Sequence, residues 1–187
     1  MANRKLIIAL LMVPVFFACG RTVEAQARKD PIDVNVIIDG SRYTQDLGVE
    51  ISDWLCGYVV DGILMEGDYL QICIAGEKAQ TPYAGIFRTE DRESLKALLR
   101  RALPGSEAAD FAGALGGLSP GKDRSPLMTY TLLISTPRGL SPVHIGTLSS
   151  YLRFSRVMDF PGWRALVLAP DIGPRVQEAA GAFLAGR

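Results

Sequence analysis

Apolar residues gather along this chain in two rhythms. Ile32 to Ile38, Tyr69 to Ala75, Met128 to Ile134 and Trp163 to Ala169 are dense in Val, Ile and Leu and end in turn residues, as strands do. The first of these runs is almost continuously apolar, which suits a strand buried on both faces. Between the runs the spacing turns helical. Leu47, Ile51, Trp54, Leu55, Tyr58 and Val59 predict a helix from Gln45 to about Gly62, with Thr44 as its cap. Leu95, Leu98 and Leu99 form the apolar face of a second helix, Glu90 to Ala102, whose other face carries Arg92, Lys96, Arg100 and Arg101. Tyr83 to Arg88 reads as a short third strand, Glu107 to Leu115 as a short helix after Pro104-Gly105, and Gly116 to Pro126 as a loop. Ser141 to about Phe154 and Ile172 to Leu184 have helical patterns.

Strands alternating with helices predict an α/β fold, a mainly parallel central sheet flanked by helices on both faces in a Rossmann-like sandwich. In such sheets the functional crevice lies outside the carboxyl ends of the strands. Asp39 and Thr136 fall at two such ends.

The first residues belong to a different kind of segment. Asn3-Arg4-Lys5 precedes an apolar stretch from Leu6 to Ala18, the length of a signal-peptide core and short for a membrane span. Ala25-Gln26-Ala27 fits a signal-peptidase cut before Arg28, whereas Phe16-Phe17-Ala18-Cys19 resembles a lipobox that would place lipid on Cys19. The expected organisation is a signal peptide over residues 1–27, a lead-in over 28–31 and one domain over 32–187, exported to the periplasm, either soluble or anchored. Membrane contact is then limited to that lipid or to an uncleaved signal.

Beyond residue 27 the chain carries 17 basic and 19 acidic residues, a formal charge of −2, so no nucleic-acid footprint is expected. Its 160 residues suffice for one hydrophobic core. Cys56 and Cys73 could pair in an oxidising compartment, or remain two buried thiols. The single histidine, His144, is too few for a histidine-based metal site.

Val36-Ile37-Ile38-Asp39-Gly40-Ser41-Arg42-Tyr43, followed by a long helix, resembles the opening of a von Willebrand factor type A domain, in which a hydrophobic strand ends in Asp-x-Ser-x-Ser. Gly67-Asp68 before a buried strand, Pro104-Gly105-Ser106 through Gly113-Ala114-Leu115, and Leu132-Leu133-Ile134 before a loop are similar to later pieces of that family over residues 32–185. The family's sixth strand is not legible in the sequence. The resemblance implies a metal-ion-dependent adhesion site holding Mg²⁺ or Mn²⁺ through oxygen ligands, on which an acidic group of a partner docks. Carried over, Asp39 and Ser41 match, Tyr43 replaces the second serine, Ser106 is the nearest counterpart of the middle threonine, and Thr136 or Pro137 stands where the second aspartate belongs. One carboxylate among neutral hydroxyls makes a degenerate site, so no cofactor is expected, and the Asp39-Gly40-Ser41 segment reads first as a structural turn.

Other chemistries lack parts. Gly116 to Asp123 nearly spells a P-loop, but Asp123 stands where Ser or Thr must follow Lys122. Ser41 stands where a haloacid dehalogenase-type phosphatase needs its second acid, and no Gly-x-Ser-x-Gly elbow is present. The expectation is a non-enzymatic module that binds another envelope protein through Asp39, Ser41, Arg42, Tyr43, Ser106, Glu107, Thr136 and Arg138. The alternative is an exported α/β enzyme or small-ligand binder using the crevice near Asp39.

Overall fold

The computed structural model describes residues 28, 30–101, 103–118, 128–140 and 154–168. Six strands form one mixed sheet: β1 (Asp33–Asp39), β2 (Tyr69–Ala75), β3 (Ala79–Ile86), β4 (Thr129–Ser135), β5 (Phe154–Phe160) and β6 (Trp163–Leu168), in the spatial order β3-β2-β1-β4-β6-β5. β1 is central and parallel to both β2 and β4. The other three pairings are antiparallel.

The fold is therefore α/β, but the sheet is mixed rather than mainly parallel. Two departures from the sequence pattern explain this. β3 follows β2 after a short turn, which permits only a return in the opposite direction. Phe154–Phe160, which follows the expected helix and carries no assignment in the sequence pattern beyond Phe154, is a strand that folds back on β6. Pro161-Gly162 joins the two, with Gly162 at φ 86°, the left-handed conformation that position i+2 of a type II turn demands. This hairpin supplies the strand missing from the sequence pattern and presents β6 antiparallel to β4. The expected helices at Ser141 to Phe154 and Ile172 to Leu184, and most of the Gly116 to Pro126 loop, lie outside the described residues.

β1 is buried along its whole length. Val34, Val36 and Ile38 point to one face and join a core with Ile51, Leu55, Val59, Leu95 and Phe87. Ile37 points to the other face and packs with Cys73, Leu133, Phe111 and Leu115. The first face is covered by α2 (Gly48–Leu55) and α3 (Arg92–Leu99), the second by α4 (Phe111–Gly116), which Asp110 caps through the Gly113 amide at 2.8 Å.

The long helix expected from Gln45 to Gly62 is broken. α1 (Arg42–Gln45) ends after one turn, α2 follows from Gly48, and Cys56–Asp61 continues as a π-helix. Thr44 caps nothing from outside; it lies within α1, buried, with its hydroxyl 2.6 Å from the Asp39 carbonyl and 2.9 Å from that of Ser41. Cys56 and Cys73 are both free and buried, one in each core. With the sheet between them, no disulfide joins them, and burial pushes both thiols above their ordinary pKa.

Candidate functional site

The parallel strands β1, β2 and β4 finish together, so Asp39, Gly76 and Ser135 meet at one pole of the sheet. Gly40 extends the ladder by donating its amide to the Ala75 carbonyl at 2.9 Å. A methyl group at Gly40 would lie 2.8 Å from Ile74 Cγ2 and 3.0 Å from Pro104 Cγ, so close packing restricts this position to glycine.

Asp39 is 0 % exposed. Its Oδ1 accepts the Ser41 amide at 2.8 Å, and its Oδ2 accepts the Ser135 hydroxyl in a short contact. The backbone of Gly139 closes over the same oxygen: a methyl group there would overlap both Asp39 Oδ2 and Ser135 Oγ. Thr136 does not reach Asp39. Its hydroxyl accepts the Gly139 amide at 2.9 Å and its carbonyl accepts the Leu140 amide at 3.0 Å, which fixes the turn that carries Gly139. Arg138 projects from that turn, exposed.

A third loop is stitched to the same place. Ser41 and Ser106 form an isolated parallel bridge, with the Arg42 amide donating to the Ser106 carbonyl at 2.8 Å and the Ser106 amide to the Gly40 carbonyl at 3.0 Å. The Ser106 hydroxyl has acceptors in the Gly40 and Ala108 carbonyls, at 3.0 and 2.8 Å. Outside this bonded base, Arg42 pairs with Glu107 at 3.1 Å and lies over the Tyr43 ring, 5.5 Å from its centroid. Hydrogen bonding with Tyr43, and then the charge of Glu107, raise the already high pKa of Arg42, which is thus a permanent cation.

The residues singled out from the sequence therefore converge on one pole, in two layers. Asp39, Ser41, Ser106 and Thr136 are bonded into the base, whereas Arg42, Tyr43, Glu107 and Arg138 form the outer rim. Sequence reasoning missed Ser135, the residue that touches Asp39, and Gly139 above it. The pairing of Ile38 with Ile134 is the signal that would have placed Ser135 beside Asp39.

A small hard dication needs about six oxygens in octahedral array, several of them anionic or water. Here a single carboxylate is available, one oxygen engaged by an amide and the other by a hydroxyl and covered by backbone. The Thr136 and Ser106 hydroxyls are engaged as well. The Ser41 hydroxyl, 1 % exposed and without a hydrogen-bond partner, is the one side-chain donor of the base left over. Among the described residues no three His, Cys, Asp or Glu side chains come together. This donor set does not fit Mg²⁺ or Mn²⁺.

Beside the base lies an open cavity of about 650 Å³, lined by Ile74, Gly76, Pro104 and Ser106, by the exposed Glu77 and Lys78 of the β2–β3 turn and by the exposed Gln80 of β3. Asp39 does not line it. Among the described residues no helix is long and apolar enough to cross a membrane.

Neither a family model nor a curated protein matches the sequence. Among solved structures, proximal thread matrix protein 1 from the mussel byssus is similar at 14% identity and a TM-score of 0.39, over 46% of this chain and 24% of that one. An aerotolerance-related membrane protein from Bacteroides fragilis, carrying multiple mutations to serine, is similar at 19% identity and a TM-score of 0.38, over 49% of each chain. Both likenesses are partial: this chain spans about a quarter of the first protein's length and about half of the second's.

Proposed function

We propose that this chain is an exported interaction module of von Willebrand factor A type, acting in the cell envelope without a resident metal ion or catalytic role. The observation that carries this reading is the closed base: the Asp39 carboxylate is satisfied by Ser41 and Ser135 and roofed by Gly139, which joins two loops, and the Ser41–Ser106 bridge ties in a third. A preorganised surface with an exposed Arg and Glu and a half-buried Tyr at its rim suits recognition of another protein, since little ordering entropy remains to be lost on binding. Arg and Tyr are also the residue types that anchor protein interfaces. The partner in this reading is another envelope protein.

The cavity beside the base favours a second reading, a small-ligand binder, whose site would then be centred on Lys78 and Ser106 rather than on Asp39. Photo-crosslinking residues placed at 42, 107 and 138 in the native host test the first reading. Discrete cross-linked proteins are expected from those positions and none from position 90 at the opposite pole. Equal cross-linking from both poles, or none from the rim, would refute it. Gly76→Leu, which fills the cavity, leaves the cross-links intact if the rim is the interface.

A further inference from the structure

The opposite pole, where the parallel strands begin, holds a half-buried ion pair that the platform does not use. Asp68, just before β2, is 0 % exposed. Its Oδ1 accepts the Ile32 amide at 2.9 Å, and its Oδ2 accepts the Met65 amide at 2.8 Å and Arg28 Nη2 at 2.7 Å. The same Arg28 nitrogen donates to the Ile63 carbonyl at 2.9 Å. Arg28 is thus held by the domain although it lies five residues ahead of β1, directly after the expected cleavage site Ala25-Gln26-Ala27. Without Arg28 the buried Asp68 would keep its two amide donors but lose the cation that balances its charge, which favours keeping Arg28 in place.

We propose that the Arg28–Asp68 pair is the joint between the N-terminal export segment and the domain, fixing the chain's exit at the strand-start pole so that a membrane-held form presents its Asp39 platform away from the bilayer. This rests on the envelope reading given above. β1 starts at this pole and ends at Asp39, a run of seven residues or about 23 Å at ~3.3 Å per residue. A form held through Cys19 has eight residues, 20–27, between membrane and joint, which reach about 28 Å when fully extended. Without the joint the free tether would include residues 28–31 and reach about 42 Å, half as long again, so the domain turns its platform toward the lipid more freely. With the joint closed, a partner meets the platform from the aqueous side, so it is a protein, or part of one, outside the bilayer.

The full chain can be coupled to maleimide-bearing vesicles through Cys19, because Cys56 and Cys73 are buried; Cys19→Ser must abolish coupling. A fluorescent residue is placed at 88, at the strand-start pole, or at 107, on the platform, with acceptor dye on the lipid headgroups. Energy transfer from position 88 should exceed that from position 107, and Arg28→Gln should lessen the difference. Equal or reversed transfer overturns the polarity. An unchanged difference in Arg28→Gln, checked as folded by circular dichroism, overturns the role of the joint; should that variant not fold, Arg28→Met takes its place and must likewise lessen the difference. Fractionation of the host is read separately: a cytosolic chain refutes the envelope reading and leaves the vesicle result standing.

Discussion

Asp39 keeps its carboxylate buried because the Ser41 amide, the Ser135 hydroxyl and the Gly139 backbone surround it. An acceptor left unmatched in the interior costs about 1–3 kcal/mol, so Ser135→Ala should lower the unfolding free energy by that amount in urea titrations. Gly139→Ala should cost a similar ~1–3 kcal/mol or more, since its methyl group must displace the carboxylate or the loop. Ser41 gives the opposite expectation: its hydroxyl is buried without a partner, so Ser41→Ala should be neutral or stabilising. If the base holds no cation, the melting temperature is the same in millimolar Mg²⁺, Mn²⁺ or EDTA, because only a ligand bound to the native state can raise it. A metal-dependent rise that Asp39→Ala abolishes would overturn this. Asp39 and Ser41 were legible in the sequence because strand-end turns announce themselves locally, whereas Ser106 was reached only through the family resemblance. Ser135 was not, because its place beside Asp39 depends on the pairing of two strands nearly a hundred residues apart.

At the scale of elements, the hairpin and the interrupted helix are where local pattern and tertiary structure disagreed. Trp54 on α2 stacks on Tyr58 at 4.6 Å between ring centroids and meets Phe160 and Trp163 edge-on at 5.3 and 5.5 Å. Phe160 and Trp163 themselves stack at 4.0 Å across the Pro161-Gly162 turn. Trp54, Tyr58 and Trp163 were legible as apolar positions of a helix and a strand, but not the hairpin they clamp, since they are brought together from separate elements. Removing a large buried aromatic costs ~3–5 kcal/mol, so Trp54→Ala should destabilise the domain by the lower part of that range, Trp54 being half-buried. The π-helix meets α3 through charge: Asp61 accepts Lys96 at 3.0 Å and Arg92 at 3.1 Å. Those partners, Lys96 first, hold the Asp61 carboxyl below its ordinary 3.8, and the Thr89 amide and hydroxyl hold Glu66 below 4.5. Carboxyls depressed in the folded state stabilise it above their unfolded pKa values, and the contribution is lost as pH falls through the lower folded values. Stability should therefore decline as pH falls below about 4.5, and Asp61→Asn combined with Glu66→Gln should flatten that decline in urea titrations across pH.

At the scale of the whole molecule, periodicity revealed the alternation of strands and helices but not the direction of each strand. Direction depends on connections: the two parallel pairings, β1 with β2 and β1 with β4, are joined through helices, whereas the short turns after β2 and β5 force a reversal. The resulting order puts β1 between two parallel neighbours and leaves β3 and β5 with one described partner each. Both outer pairings are also irregular, with register shifts at Ile72/Ile74 opposite β3 and at Phe154/Arg156 in β5, and Pro82 withholds an amide from β3. Opening free energies should follow this layout, because an amide at the centre exchanges only when the sheet itself opens, whereas an edge amide needs only local fraying. Amide hydrogen exchange should accordingly be slowest for Val34 to Ile38 and for their β2 and β4 partners from Leu70 to Ile74 and from Leu132 to Ile134, and faster in β3 and β5. Urea should raise exchange at the central amides in parallel with global unfolding, while the edge amides respond little to low urea. If β5 proved as protected as β1, the hairpin would be covered on its outer side, and the sheet would open from the β3 edge alone.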